Sequence, residues 1–471
     1  MSENNHVDME VKKPDVANNE LMVEMKAGPS SVVIPSKPSE EAKVDVVEER
    51  ISSSITNSEF AITIMKSVTG TGCLGIPYSI VQMGIIPSLI VFFLVTIANI
   101  INTRYLIEAN DGIKKRALPM KSGFKIDNDY ANLMYQLFGK TGYYIFLIFF
   151  YMTVWGVMLG TMISMFDFIN HLPYSDSFLG GKTLRNLILH IVTAIICYVL
   201  CLIRDTKKLF FVSWFGIFTL VLSYLVVIIY GLCTINIRFD SSLLFSKDIT
   251  SFFANIGTAP YTLGYNFCYL TYYKQVAKSQ LSKTFSITVK SILGVCTVYM
   301  LFSLPATVIY GSVKDEFGNI NIASNLVNSL PNNSVWGVCI NLLMWASCIC
   351  SLPVLLSSTS ELLEKNCPDA GTAFFVHDKK RLGIRFAQIA ILTIIAYLVP
   401  FFGEIVNIFG GFAFVATSIL IPVIIHYFVF KSTMAQKQQW IHFALGFAAF
   451  ALMVVATYFS AAALVKSLTS H

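Results

Sequence analysis

Met65-Lys66-Ser67-Val68-Thr69-Gly70-Thr71-Gly72-Cys73-Leu74-Gly75-Ile76-Pro77 lies inside an apolar run, roughly 58–82, that is long enough to cross a bilayer. Gly70, Gly72, Gly75 and Pro77 make it poor continuous helix, because Gly costs about 1 kcal/mol and Pro about 3 kcal/mol in a helix interior. Irregular backbone at membrane depth persists only where it lines a cavity or is buried in protein. A second stretch of the same kind is Ala254-Asn255-Ile256-Gly257-Thr258-Ala259-Pro260-Tyr261-Thr262-Leu263-Gly264. The two are 187 residues and five apolar runs apart. Five is odd, so the second break belongs to a unit of opposite orientation. The pattern predicts an all-α integral membrane protein with five plus five helices in inverted repeat, helices 1 and 6 broken, and one helix appended. In that architecture the substrate binds near the midplane where the broken helices meet.

Composition agrees. Of 471 residues 55% are apolar and 13% charged, and the mean hydropathy is +0.64. A soluble domain carries about twice that charge, which excludes a soluble enzyme on one membrane anchor. Eleven apolar runs are present, roughly 58–82, 86–109, 141–168, 185–203, 209–232, 251–273, 285–310, 335–361, 385–400, 404–430 and 440–464. Their continuity excludes a transmembrane β-barrel, whose strands alternate apolar and polar residues. The net charge of +6 combines two opposite parts and is no sign of a nucleic-acid partner. Residues 1–50 hold eleven acids and six Lys or Arg, for −5, and the remainder carries +11. The first fifty residues have no aromatic side chain and cannot bury enough apolar surface to offset chain entropy, so they read as a disordered acidic tail. Residues 51–471 read as the membrane domain. The tail has no apolar core of a signal peptide and no clear sorting signal, which leaves the plasma membrane and an acidic, lysosome- or vacuole-like organelle equally open.

With the N-terminus in the cytoplasm, the inward linkers hold nineteen Lys and Arg and the outward linkers and C-terminus hold six. That bias orients the chain N-terminus inside and C-terminus outside, and it puts the one glycosylation sequon, Asn332-Asn333-Ser334, outside. The ten Cys are scattered through apolar runs without zinc-site spacing and read as packing residues. No metal cluster, phosphate-binding loop or nucleophile with a base stands out, so neither a cofactor nor an enzymatic function is expected.

Three segments carry a family resemblance. Lys66 through Tyr78 resembles the first-helix G-[ST]-G-x-L-x-[LI]-P signature of the amino acid/auxin permeases, eleven-span transporters of the LeuT-type fold. Val399-Pro400-Phe401-Phe402-Gly403-Glu404 matches the start of their tenth span, and Ser351-Leu352-Pro353 in the eighth span adds weaker support. The likeness covers about 55–465 and implies secondary transport of amino acids driven by protons or sodium. A zwitterion needs partners for both its charges. The amides of Thr71, Gly72 and Cys73, opening the second half-helix, suit a carboxylate. Carbonyls near Val68 and Ile256 suit an ammonium, with Thr69, Gly70, Gly257 and Thr258 completing the walls. Gly160 and Gly216 read as helix-packing glycines.

Lys66, one turn before Gly70, is the coupling candidate, because an ionisable group inside a span is a functional candidate. Sodium-coupled relatives resemble one another in an Asn here, opposite a Ser or Thr of the eighth span, where this chain has Ser351. The proton-coupled relatives carry Lys, and this first helix is closer to theirs, although their His one turn earlier is Thr63 here. An alternative is that Lys66 snorkels to the cytosolic edge. Asp167 and Glu404 are candidates for gating or for ordinary helix-end roles, Glu404 as an N-terminal cap. His190, His426 and His442 read as interfacial, and Arg104 and Glu108 as an i,i+4 pair. The expectation is a sodium-independent, proton-coupled amino acid transporter. A sodium-coupled transporter and an amino acid-sensing receptor of the same fold, signalling to cytosolic partners through its tail, are the alternatives.

Overall fold

The computed structural model describes residues 55–115, 126, 128–175, 178–203, 206–237, 239–246, 248–313, 322–364, 376 and 378–470. The acidic tail, 1–50, lies outside these. Among the described residues nine helices are long and apolar enough to cross a membrane: Ile85–Lys115, Asp129–Asn170, Lys182–Cys201, Gly216–Thr234, Leu281–Gly311, Val335–Leu356, Lys379–Leu398, Phe402–Phe430 and Gln436–Thr469. Two further segments are interrupted. The first runs Asn57–Val68, a 3-10 turn Thr71–Gly75, then Ile76–Met83. The sixth runs Ile249–Asn255, Thr258–Leu263 and Asn266–Tyr273. Each of the eleven apolar runs coincides with one of these segments, numbered below as spans one to eleven.

Helices dominate because lipid offers no partner to a free backbone group, so each segment must satisfy its own. Capping residues set several ends. Thr56 and Glu59 form a reciprocal capping box at span one. Asp248 caps span six, and hydrogen bonds from Thr250 and Ser251 hold its carboxylate down at about 2. Gly139, at φ 67°, bends the chain between a short lead-in helix and span three proper. Span eight packs against spans three and five, span ten against span two, and span eleven against the first piece of span six. The outward faces present Phe93, Ile148, Ile195, Leu301, Ile394 and Phe447, each more than half exposed, as a lipid-facing surface should.

Several polar side chains inside the bundle are paired. Asn99, Thr103, Tyr265 and Asn266, all at most 2% exposed, form one network tying span two to span six. Glu364 holds Arg385, which also donates to the Cys201 carbonyl. His190 is buried rather than interfacial. Its ring stacks on Phe166 and bonds Asn170, because an apolar helix face leaves an imidazole no other polar partner.

Candidate substrate site

Each helix break frees backbone groups, and the structure accounts for most of them with side chains. At span one the chain turns extended at Thr69 (φ −79°, ψ 107°) and Gly70 (φ −148°, ψ −176°). The Val68 carbonyl, which would serve the amide of Gly72 in a continuous helix, accepts from the Tyr299 hydroxyl at 3.1 Å. The Cys73 carbonyl has no donor one α-helical turn on because residue 77 is Pro, and it accepts instead from the Ile76 amide and the Tyr224 hydroxyl. The Cys73 amide and Sγ both turn back to the Gly70 carbonyl. Two donors of the 3-10 turn are left over. The amides of Thr71 and Gly72 precede the first 3-10 bond, and among the described residues neither has an acceptor. The expected triplet of free amides is therefore a pair, and the expected Val68 acceptor is occupied.

Span six is interrupted twice. Ile256 and Gly257 keep right-handed angles (φ −64° at both), while Gly264 is extended (φ −79°, ψ 125°). Here an Asn of span ten enters. The Thr258 amide and hydroxyl donate to Asn407 Oδ1 at 2.8 and 2.9 Å, and Ser79 meets the Thr258 hydroxyl at 2.6 Å. Asn407 Nδ2 donates to the Gly403 carbonyl and to Asn255 Oδ1. With the Thr258 amide diverted, the Ala254 carbonyl accepts from Ser460. At the second interruption the Leu263 carbonyl accepts from Asn99. The Ile256 carbonyl is the exception. Its helical donor would be Pro260, which has no N–H, and no described side chain replaces it.

Tyr261 occupies the space between the breaks. A Cβ on Gly72 would lie 2.5 Å from its ring, and one on Gly160 2.6 Å from its hydroxyl. The hydroxyl donates to the Gly156 carbonyl at 3.3 Å, and the Phe414 ring stands 5.1 Å away. Gly160, expected as a helix-packing glycine, thus makes room for a side chain at the site. Thr71 meets Thr161 of span three at 3.5 Å. Gly70 faces open space. Span ten is wound into two π-helical turns, Gly410–Phe414 and Ala416–Leu420, a geometry that recurs at functional sites.

The structure thus brings Val68 through Cys73 and Ile256 through Thr258 around Tyr261. Lys66 is half-buried in the last turn of the first half-helix. Ser351 donates to the Ser347 carbonyl and lies beside Gly216 of span five. Asp167 is in the last turn of span three, and among the described residues its carboxylate has no hydrogen-bond partner. Glu404 accepts from Ser467 of span eleven at 2.9 Å rather than from the amides of its own helix. It lies beside a cavity of about 40 Å³ lined by Tyr78, Asn255 and Asn407, room for about one water. Asn332 is exposed in the turn before span eight. Asn407 and Tyr261 were not singled out from the sequence. The available signal for Asn407 was an amide side chain in an otherwise apolar stretch. Nothing in the sequence separates Tyr261 from twenty other tyrosines.

Among curated relatives, the amino acid transporter AVT1B of Arabidopsis thaliana is 20% identical over 450 residues, covering 93% of this chain and 76% of that protein. AVT3B of the same plant is 24% identical over 149 residues, 32% of each. Among solved structures, MhsT in complex with L-phenylalanine aligns over 87% of this chain and 97% of its own at 15% identity, with a TM-score of 0.43. The family described as transmembrane amino acid transporter protein matches residues 53–466, nearly the whole membrane domain, and the chain belongs to that family of transporters.

Proposed function

We propose that the protein carries an amino acid across the membrane by alternating access, in a cycle independent of sodium and driven by protons. The observation that carries this reading is the pair of unfilled backbone groups at the two breaks. Orphan amides at Thr71 and Gly72 suit a carboxylate, and the orphan carbonyl of Ile256 suits an ammonium. Every other broken carbonyl described above is filled by a hydroxyl or an amide, so these are the groups reserved for a ligand. Gly70 lets the substrate reach the backbone, and the ring of Tyr261, standing against Gly72, must shift to admit it. Its movement is the gate between a site that is filled and one that holds substrate.

The coupling reading rests on Lys66. An ammonium one turn before the break supplies the unit charge that sodium would otherwise bring, and a lysine can also give up its proton during the cycle. The nineteen-to-six charge bias supports a cytoplasmic tail. The relatives named amino acid transporters support the substrate class.

Uptake of amino acids into proteoliposomes holding the full chain, with no cytosolic partner, tests this. Transport should persist when choline replaces sodium and should rise with an inward proton gradient. Loss of uptake without sodium at both acidic and neutral pH would remove Lys66 from the ion site. Ligand-stabilised protein that moves nothing would favour a receptor.

A further inference from the structure

The ends of spans two, ten and eleven that share a side with the start of span one carry a continuous chain of ionisable groups. Arg104 Nε donates to Glu108 Oε1 at 2.7 Å. Glu108 Oε2 lies 3.0 Å from His426 Nε2, His426 Nδ1 lies 2.9 Å from His442 Nε2, and His442 Nδ1 lies 2.9 Å from the Gln438 carbonyl. Tyr105 covers both imidazoles, its ring 4.2 and 4.9 Å from theirs. His426 is 7% and His442 6% exposed, so both imidazoles are enclosed by protein. Glu108, at 39% side-chain exposure, joins the chain to solvent.

The Gln438 carbonyl only accepts, so His442 Nδ1 must carry a hydrogen. If His442 is neutral, its Nε2 is then an acceptor and His426 Nδ1 must donate to it. A neutral His426 would in turn present a bare Nε2 to Glu108, and an ionised carboxylate has no hydrogen to offer. Three hydrogen bonds need three hydrogens, and two neutral imidazoles beside a carboxylate supply two. We propose that Glu108, His426 and His442 form a proton-binding site, holding one proton beyond that count and so fastening spans two, ten and eleven together.

The groups that face His426 are Arg104, Tyr105 and Glu108 from span two and His442 from span eleven. Lys431, at the end of its own helix, lies over the Tyr427 ring. Span three meets this helix through the Phe138 ring, 5.0 Å from Phe428. Arg104 engages one carboxylate oxygen and leaves the other for the imidazole. This site is separate from Lys66 and does not depend on how transport is coupled.

Two substitutions remove the need for the proton while keeping the hydrogen bonds made by His426. In Glu108→Gln the amide carbonyl accepts from Arg104 and the amide nitrogen donates to a neutral His426. In His442→Gln the new amide donates to His426 Nδ1, which frees Nε2–H for Glu108. The experiment is the melting temperature of the purified full chain from about pH 5 to about pH 9, a range bracketing the ordinary Glu and His values. As the pH rises and the proton leaves, the wild type loses one hydrogen bond of the chain and the variants lose none. Its melting temperature should therefore fall by about 2 °C relative to both variants across the range. A wild-type profile parallel to those of both variants would overturn the site, even if the variants melt lower throughout.

Discussion

The two broken spans look alike in sequence and differ in what breaks them. Each holds Gly, Thr and a Pro within a few residues. In span one the backbone leaves the helix at Thr69 and Gly70, and Gly70 faces open space. In span six, Ile256 and Gly257 keep helical angles, and the interruption comes from Pro260 and from Asn407 drawing off the Thr258 amide. Gly257 faces the backbone of span ten, where a Cβ would fall 2.1 Å from the Asn407 carbonyl oxygen. The reverse holds at Gly410, whose Cβ would fall 1.9 Å from the Gly257 carbonyl oxygen. Gly70 in span one thus faces open space, whereas Gly257 in span six lets two backbones touch. A glycine-rich break does not by itself say which of these it serves.

The largest expected effect separates those two roles. Gly257→Ala sets a methyl against main chain that cannot swing aside, and it should cost about 3 kcal/mol or more and much of the folded yield. Gly70→Ala meets nothing within 4 Å at an extended backbone any residue adopts. It should melt like the wild type while weakening substrate affinity. Melting curves and uptake on both variants check the contrast, and equal loss of folded protein in the two would break it.

Gly72→Val comes next. Its Cβ would meet the Tyr261 ring, a side chain that can move, so folding should stay near normal. Uptake should be abolished, because the displaced ring and the added methyls occupy the space before the Thr71 and Gly72 amides. Gly216→Val, beside Ser347 and Ser351, should show no selective loss of substrate affinity. Wild-type affinity in Gly72→Val would remove the span-one break from the site.

The smallest effect concerns the side chains that fill broken carbonyls. Tyr299→Phe removes the donor to Val68 and should cost about 1–3 kcal/mol, the range for a buried acceptor left without its partner. Asn407→Ala at the other break strips the acceptor from two Thr258 donors and should cost more than Tyr299→Phe. Thermal unfolding of the two variants orders them, and the reverse order would mean that span ten contributes less to the span-six break than its contacts indicate.

Much of this was legible before any coordinates. Eleven apolar runs, the two Gly/Pro interruptions five runs apart and the charge asymmetry are local features of composition and periodicity, and lipid enforces them because it leaves helices little alternative. Capping pairs such as Thr56 with Glu59 and the i,i+4 pair of Arg104 with Glu108 were equally readable, since their partners are a turn apart. The occupants of the freed backbone groups were not. Tyr299 reaches Val68, Tyr224 reaches Cys73 and Asn407 reaches Thr258 from 149 residues or more away in the chain. The partners of His426 and His442 were hidden for the same reason. An imidazole near a helix end shows none of the partners that two other helices bring to it. Sequence determined that two helices must break and where, because helix propensity is a local property. Which of the freed donors and acceptors stayed open was decided by tertiary packing alone, because a hydrogen bond is satisfied by whatever group the fold brings within about 3 Å, whatever its distance along the chain.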